Sequence, residues 1–224
     1  MSTLKEIGKD LKEKGAKKED IKMALAIMVY LSSLDSLVFP ENPAIINFSI
    51  RRHRFGYPVG HHPAKNDEAR YNIYLDGVAR FLREEKKERG LWIPNLNKGS
   101  RNRSKLLRPT WEELLVPMAA HEVRHRVQCD CSCGQFSPKN TSLVKDRLLR
   151  AIVTFEGYVF EENKKTWTQE NKPRAYIQER MEPKEFDASV IERLIAAKIH
   201  GKNAYSLREE IVSIIKMSAP KRPK

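Results

Sequence analysis

His121-Glu122-Val123-Arg124-His125 puts two imidazoles and a carboxylate into one five-residue stretch, in the pattern H-E-x-x-H. On a helix the two histidines stand at i and i+4, so both rings leave one face a single turn apart. That spacing lets their nitrogens share one Zn²⁺ at about 2.0–2.1 Å. Zinc lowers the pKa of a water it holds to roughly 7, and a carboxylate beside the first ligand can take that water's proton. Glu122 is in that place. The motif fixes only three positions and also arises by accident, so the remaining sequence must supply a scaffold and a further ligand.

A catalytic zinc site uses three protein ligands and an open position. A third histidine soon after the motif is absent, because Arg126, Val127 and Gln128 lead into Cys129, Cys131 and Cys133. A glutamate on a later helix is the other common solution, and Glu156, Glu161, Glu162, Glu182 and Glu185 are the candidates. The string Pro183-Lys184-Glu185-Phe186-Asp187-Ala188-Ser189 resembles the E-x-x-A-(D/N) element of the gluzincin-like zinc peptidases. The resemblance implies that Glu185 is the ligand and that Ala188, one turn on, lets two helices approach closely. Val159, Lys164 and Lys165 fill that place after Glu156, Glu161 and Glu162, and Glu182 precedes Pro183. Ser189 stands where the family often has the Asp or Asn that orients a ligand histidine.

The order of elements is similar to that of a minimal zincin over about residues 44–200, although the specific likeness is confined to some ten residues. It implies an α+β fold, mostly helical, with a small antiparallel or mixed sheet before the H-E-x-x-H helix. It also implies a zinc metallopeptidase, a hydrolase acting on a peptide or protein, with His121, His125 and Glu185 on the metal and Glu122 as general base. In such folds the strand before the motif helix pairs with an extended substrate, a role that would fall to Arg70–Leu75.

Local patterns place these residues. Leu4, Ile7 and Leu11 recur at helical spacing, Gly15 interrupts, and a second helical segment runs to about Leu34. Residues 44–51 and 68–75 read as strands, the latter with Tyr71, Ile73 and Leu75 on one face. Residues 55–63 and 91–109 read as loops, and 77–89 as a short helix. Thr110 and Glu113 form a capping box that opens the motif helix. Pro117 lacks the N–H that would bond to the Glu113 carbonyl, which predicts a kink or restart. Helices are expected over 141–163, 184–199 and 206–217. The domain expectation is an N-terminal helical segment (1–40) packed on the core, a zincin-like domain (41–217) and a disordered basic tail (218–224).

Other side chains have blander readings. Gln128, one turn past His125, faces either the site or solvent. Tyr176 could donate to an oxyanion but suits a core better. His61 and His62 fall in an expected exposed turn, His53 in a basic surface strand, and His200 at a helix C-terminus, where the dipole favours it.

Composition limits the alternatives. The chain has 224 residues, of which 40% are apolar, enough for one core or a core with an appendage. Forty-two Lys and Arg against 29 Asp and Glu give +13, a charge that attracts nucleic acid non-specifically. The alternative function is therefore a basic nucleic-acid-associated protein with an accidental or inactive motif, carried by Lys98–Arg108. Met1–Lys18 lacks the apolar region of a secretory signal. Met23–Val38 reads as too short and too polar to span a bilayer. The expectation is a cytoplasmic protein with no membrane partner. Three cysteines at alternate positions make a poor disulfide framework, and C-x-C-x-C lacks an obvious fourth ligand.

If the metal lies on nitrogen and oxygen, alkylating Cys129, Cys131 and Cys133 leaves about one zinc per chain by elemental analysis. Loss of the only zinc would move the metal to the cysteines.

Overall fold

The computed structural model describes residues 3–51, 53, 57–65, 68–88, 91–94, 104–130, 136–174, 177 and 182–219. The chain divides into two compact units, Met1–Gly90 and Leu91–Lys224. Among the described residues it is a mostly helical α+β fold with a small mixed sheet preceding the motif helix.

In the first unit, α1 (Leu4–Glu13) opens with a reciprocal cap between Thr3 and Glu6, and α2 (Lys18–Val38) follows a turn at Gly15, whose φ of 90° suits glycine. The strands β1 (Ile45–Ser49), β2 (Val59–Lys65) and β3 (Glu68–Tyr74) form a sheet in the order β1-β3-β2, the first pair parallel and the second antiparallel. The alternation of β3 sends Tyr71 and Ile73, with Leu75 after it, into the core beside Ile27, Leu31 and Leu82. Helix α3 (Val78–Glu88) has its first turn tied to α2, where the buried Asp20 accepts from the Ala79 N–H at 2.8 Å. Asp35 joins α2 to the sheet. Its carboxylate accepts from the Tyr71 hydroxyl at 2.8 Å and from the Ala44 N–H at 2.7 Å. These ties hold α2 to α3 and the sheet inside the unit Met1–Gly90.

Several expectations change here. Residues 59–65 form an edge strand instead of a loop, since an edge tolerates Gly60 and Pro63. His61 therefore lies in β2, its ring 5.5 Å from that of Tyr71, and not in an exposed turn. The strand expected to pair with substrate, β3, is the central one, flanked on both sides, and has no open edge. Helix α2 begins at Lys18, giving 21 residues, which by length and composition alone are long and apolar enough to cross a membrane. Here one face of it, Asp20 and Asp35 included, is buried in the unit.

In the second unit, residues expected to be loop form an antiparallel pair, β4 (Leu91–Pro94) and β5 (Ser104–Leu107). Four-residue strands give too short a pattern to be seen in sequence. Residues 95–103 lie outside the described residues, and with them most of the basic segment Lys98–Arg108. Helix α4 (Trp111–Asp130) carries the motif. Its capping box forms: the Thr110 N–H donates to Glu113 at 2.8 Å and the Glu113 N–H to the Thr110 hydroxyl at 3.2 Å. The helix continues through Pro117 with no restart. A 3₁₀ turn, Pro138–Leu143, precedes α5 (Arg147–Gln169), whose start is set by Asp146 accepting from the Leu149 N–H at 2.6 Å, later than expected. Helix α6 (Pro183–Ile199) starts at proline and ends before Gly201, with φ of 68°. Helix α7 (Arg208–Ile215) is shorter than expected because Ala204–Leu207 winds as 3₁₀. Helix α6 packs on α4, α5, α7 and β4, and is apolar on nearly every side, as a central helix must be.

Replacing Asp35 by Ala removes the acceptor of one buried donor, the Tyr71 hydroxyl, and one part-buried donor, the Ala44 N–H. We expect unfolding in denaturant to show a loss of about 3 kcal/mol. A loss below about 1 kcal/mol would mean that Asp35 does not tie α2 to the sheet.

Candidate metal centre

Helices α4 and α6 lie against each other. Ala120, one turn before Arg124, and Ala188, one turn after Glu185, are small and fully buried. Two backbones can therefore approach closely enough for a carboxylate on one to reach imidazoles on the other. Glu185, in the first turn of α6, turns one oxygen to each ring: Oε2 lies 3.4 Å from His121 Nε2 and Oε1 3.3 Å from His125 Nε2. The two Nε2 atoms are 3.1 Å apart. Two such nitrogens at this distance need a proton between them or a cation bound to both, because bare lone pairs repel.

The donor set suits a cation. His121, His125 and Glu185 each offer one ligand atom, and these converge on one point. Bonds of 2.0–2.1 Å in a tetrahedron place ligand atoms about 3.3–3.4 Å apart, close to the separations found. Both rings are also held from behind. His121 Nδ1 lies 3.1 Å from a Glu192 oxygen, and His125 Nδ1 lies 3.0 Å from the Gln128 side-chain oxygen. Both partners accept, so each Nδ1 carries hydrogen and each Nε2 is left to face Glu185.

Electrostatics follow the geometry. Burial pushes the His121 pKa down, but Glu185 and Glu192 outweigh it and raise it well above the usual imidazole value. Burial also works to raise Glu185, and the two histidines reverse this and hold it far below the ordinary carboxylate range. The two acids thus favour the protonated form of His121 in the metal-free protein. Glu122 follows His121 on α4 and is partly buried.

Of the other glutamates, Glu156 is buried against Arg193 at 3.0 Å, Glu182 precedes α6 and pairs with Lys184 at 2.8 Å, and Glu161 and Glu162 lie on α5, outside the converging group. Gln128 takes the first of its two readings, facing the site. His200 follows α6 as expected, and its ring contacts Glu113 at 3.1 Å. His53 stacks near Tyr57 and Tyr74 in the first unit. Cys129 is exposed, and burial of its sulfur with nearby Asp130 raises the thiol pKa against the pull of Lys184. Tyr176, Cys131, Cys133 and residues 220–224 lie outside the described residues, as does the side chain of His62.

Two residues were missed. Glu192 is seven positions after Glu185, two helical turns along the same face, and that spacing was legible. It supplies the carboxylate that Ser189 could not. Asp187 is fully buried and bonded to Arg124 at 2.7 and 3.0 Å. A charge inside an apolar helix face was its only signal.

No family model, curated protein or solved structure matches this chain.

Binding a cation displaces the His121 proton. Below the raised His121 pKa, apparent zinc affinity should climb about tenfold per pH unit, flattening above it. The ion-pair contribution of His121 to the metal-free fold runs the other way. It is complete below the unfolded imidazole value and disappears as pH rises through the raised one. Chelator competition across about pH 6 to 9 checks the first statement. Affinity flat over that range would contradict it.

Proposed function

We propose that the chain is a zinc-dependent metallopeptidase of gluzincin-like type. One observation carries this reading: Nε2 of His121, Nε2 of His125 and the Glu185 carboxylate converge, while Glu192 and Gln128 occupy the opposite nitrogens of both rings. Accidental H-E-x-x-H strings have no reason to bring a distant carboxylate to both rings and an acceptor to each Nδ1.

In this reading His121, His125 and Glu185 hold the zinc. When bound, zinc would supply a Lewis acid that acidifies a water and polarises a peptide carbonyl. Glu122 takes the proton from the attacking water and returns it to the leaving amine. It lies next to His121 on the same helix and outside the three converging donors, the place that a proton-transfer role beside the metal requires. Glu192 and Gln128 fix the ring orientations, and the packing of α4 on α6 keeps Glu185 in range. The residual basic charge suits acidic partners, and a nucleic-acid role remains the competing outcome of the test.

The test is Glu122→Gln. The variant should keep about one zinc while hydrolysis of a mixed peptide library falls by about 10²–10⁴-fold, whereas His125→Ala should lose zinc and hydrolysis together. A Glu122→Gln protein without zinc would refute the proton-transfer role. Zinc-free wild-type protein with steeply salt-dependent nucleic-acid affinity would favour the alternative.

A further inference from the structure

We infer that Asp187 is a positioning residue for the metal ligand His125, acting through the side-chain amide of Gln128. The inference rests on the metal-site reading above. Gln128 lies between three partners. Its oxygen faces His125 Nδ1 at 3.0 Å, and its nitrogen donates to the Lys184 carbonyl at 2.9 Å and to Asp187 Oδ2 at 2.5 Å. An amide can turn over, exchanging oxygen for NH₂. Here the flipped amide would place its oxygen against two acceptors, one of them an ionised carboxylate. Asp187 and Lys184 together therefore decide which end of Gln128 meets the imidazole.

That decision passes to the metal. With its oxygen toward the ring, Gln128 can only accept, so His125 carries hydrogen on Nδ1 and offers the Nε2 lone pair to a cation. With its NH₂ toward the ring, the neutral tautomer would be reversed and Nε2 would carry the hydrogen. Asp187 is itself immobilised. Oδ2 accepts from Arg124 Nε, and Oδ1 from Arg124 Nη2 and from the Phe136 N–H at 3.0 Å. Glu192 does the corresponding work for His121 directly, as a carboxylate that has no second orientation to exclude.

The test is a double-mutant cycle on zinc affinity, read by chelator competition, with thermal unfolding of the metal-free proteins followed alongside. Gln128→Met removes the acceptor and keeps the volume. Asp187→Asn replaces an obligatory acceptor by an amide that can donate to a flipped Gln128. Each single change should weaken zinc by about 10–100-fold. In the Gln128→Met background Asp187→Asn should cost no further zinc affinity, although it still lowers the unfolding temperature. In zinc-loaded wild-type protein, NMR of the His125 ring should show the proton on Nδ1, and in Asp187→Asn a weakened or shifted signal.

If Asp187→Asn does not fold, Arg124→Met with Asp187→Leu removes both charges together and enters the cycle in its place. Additive losses, in a protein whose wild type binds zinc tightly, would overturn the inference and leave the metal site standing. A wild type that binds no zinc would sink the metal-site reading, and this inference with it.

Discussion

The second unit is organised around the buried ion pair of Arg124 and Asp187. Both side chains are completely inaccessible, and each satisfies the other with two hydrogen bonds. Neither charge could remain there alone, since removing one partner of such a pair costs about 3–5 kcal/mol. The remaining hydrogen-bonding capacity is spent on connections. Arg124 Nη1 donates to the carbonyls of Ile215 and Met217 at the end of α7, both at 2.7 Å. The Ile215 carbonyl is among the groups a helix leaves unpaired at its C-terminus, and Met217 lies just beyond it. Asp187 holds the Phe136 N–H, which fixes the backbone just ahead of the 3₁₀ turn Pro138–Leu143. One pair thus fixes the motif helix, the glutamate helix, the last helix and a loop relative to one another.

The placement of this pair explains why the convergence of His121, His125 and Glu185 is narrow. Arg124 is one residue from a ligand and Asp187 two residues from another. Sliding α6 along α4 would separate Asp187 from Arg124 before it moved Glu185 far from the rings. Small side chains at Ala120 and Ala188 leave room for the close approach, but apolar surfaces set no register by themselves. The two ligand histidines are also supported unequally, by a carboxylate behind His121 and an amide behind His125.

How much of this was legible in sequence depended on the range of the interactions. The Thr110–Glu113 cap, the turn at Gly15, the start of α6 at Pro183 and the alternation of β3 are all set within a few residues, and all were read correctly. Glu185 came from a resemblance, and its place beside both rings agrees with it. β2, β4 and β5 fell in segments read as loops because strand pairing is a non-local interaction, and these short segments carry Gly60, Pro63 and Pro94 against it. Pro117 misled in the opposite direction. It lacks a hydrogen, but tertiary packing around a buried helix compensates for one missing bond. Asp187 was invisible because nothing in its immediate neighbourhood announces that its partner lies 63 residues earlier.

The bonds from Arg124 to the end of α7 have a consequence for biosynthesis. Met217 is made 93 residues after Arg124, an interval of about 5–20 s at ordinary elongation rates. The carboxylate partner of Arg124, Asp187, comes 63 residues after it and its last carbonyl 93 residues after it, so until then the guanidinium lacks a full set of partners and favours a hydrated setting over burial. The nascent chain therefore carries its two histidines for several seconds with neither Glu185 nor a settled fold around them. On the metal-site reading proposed above, capture of a metal would follow the synthesis of this whole segment.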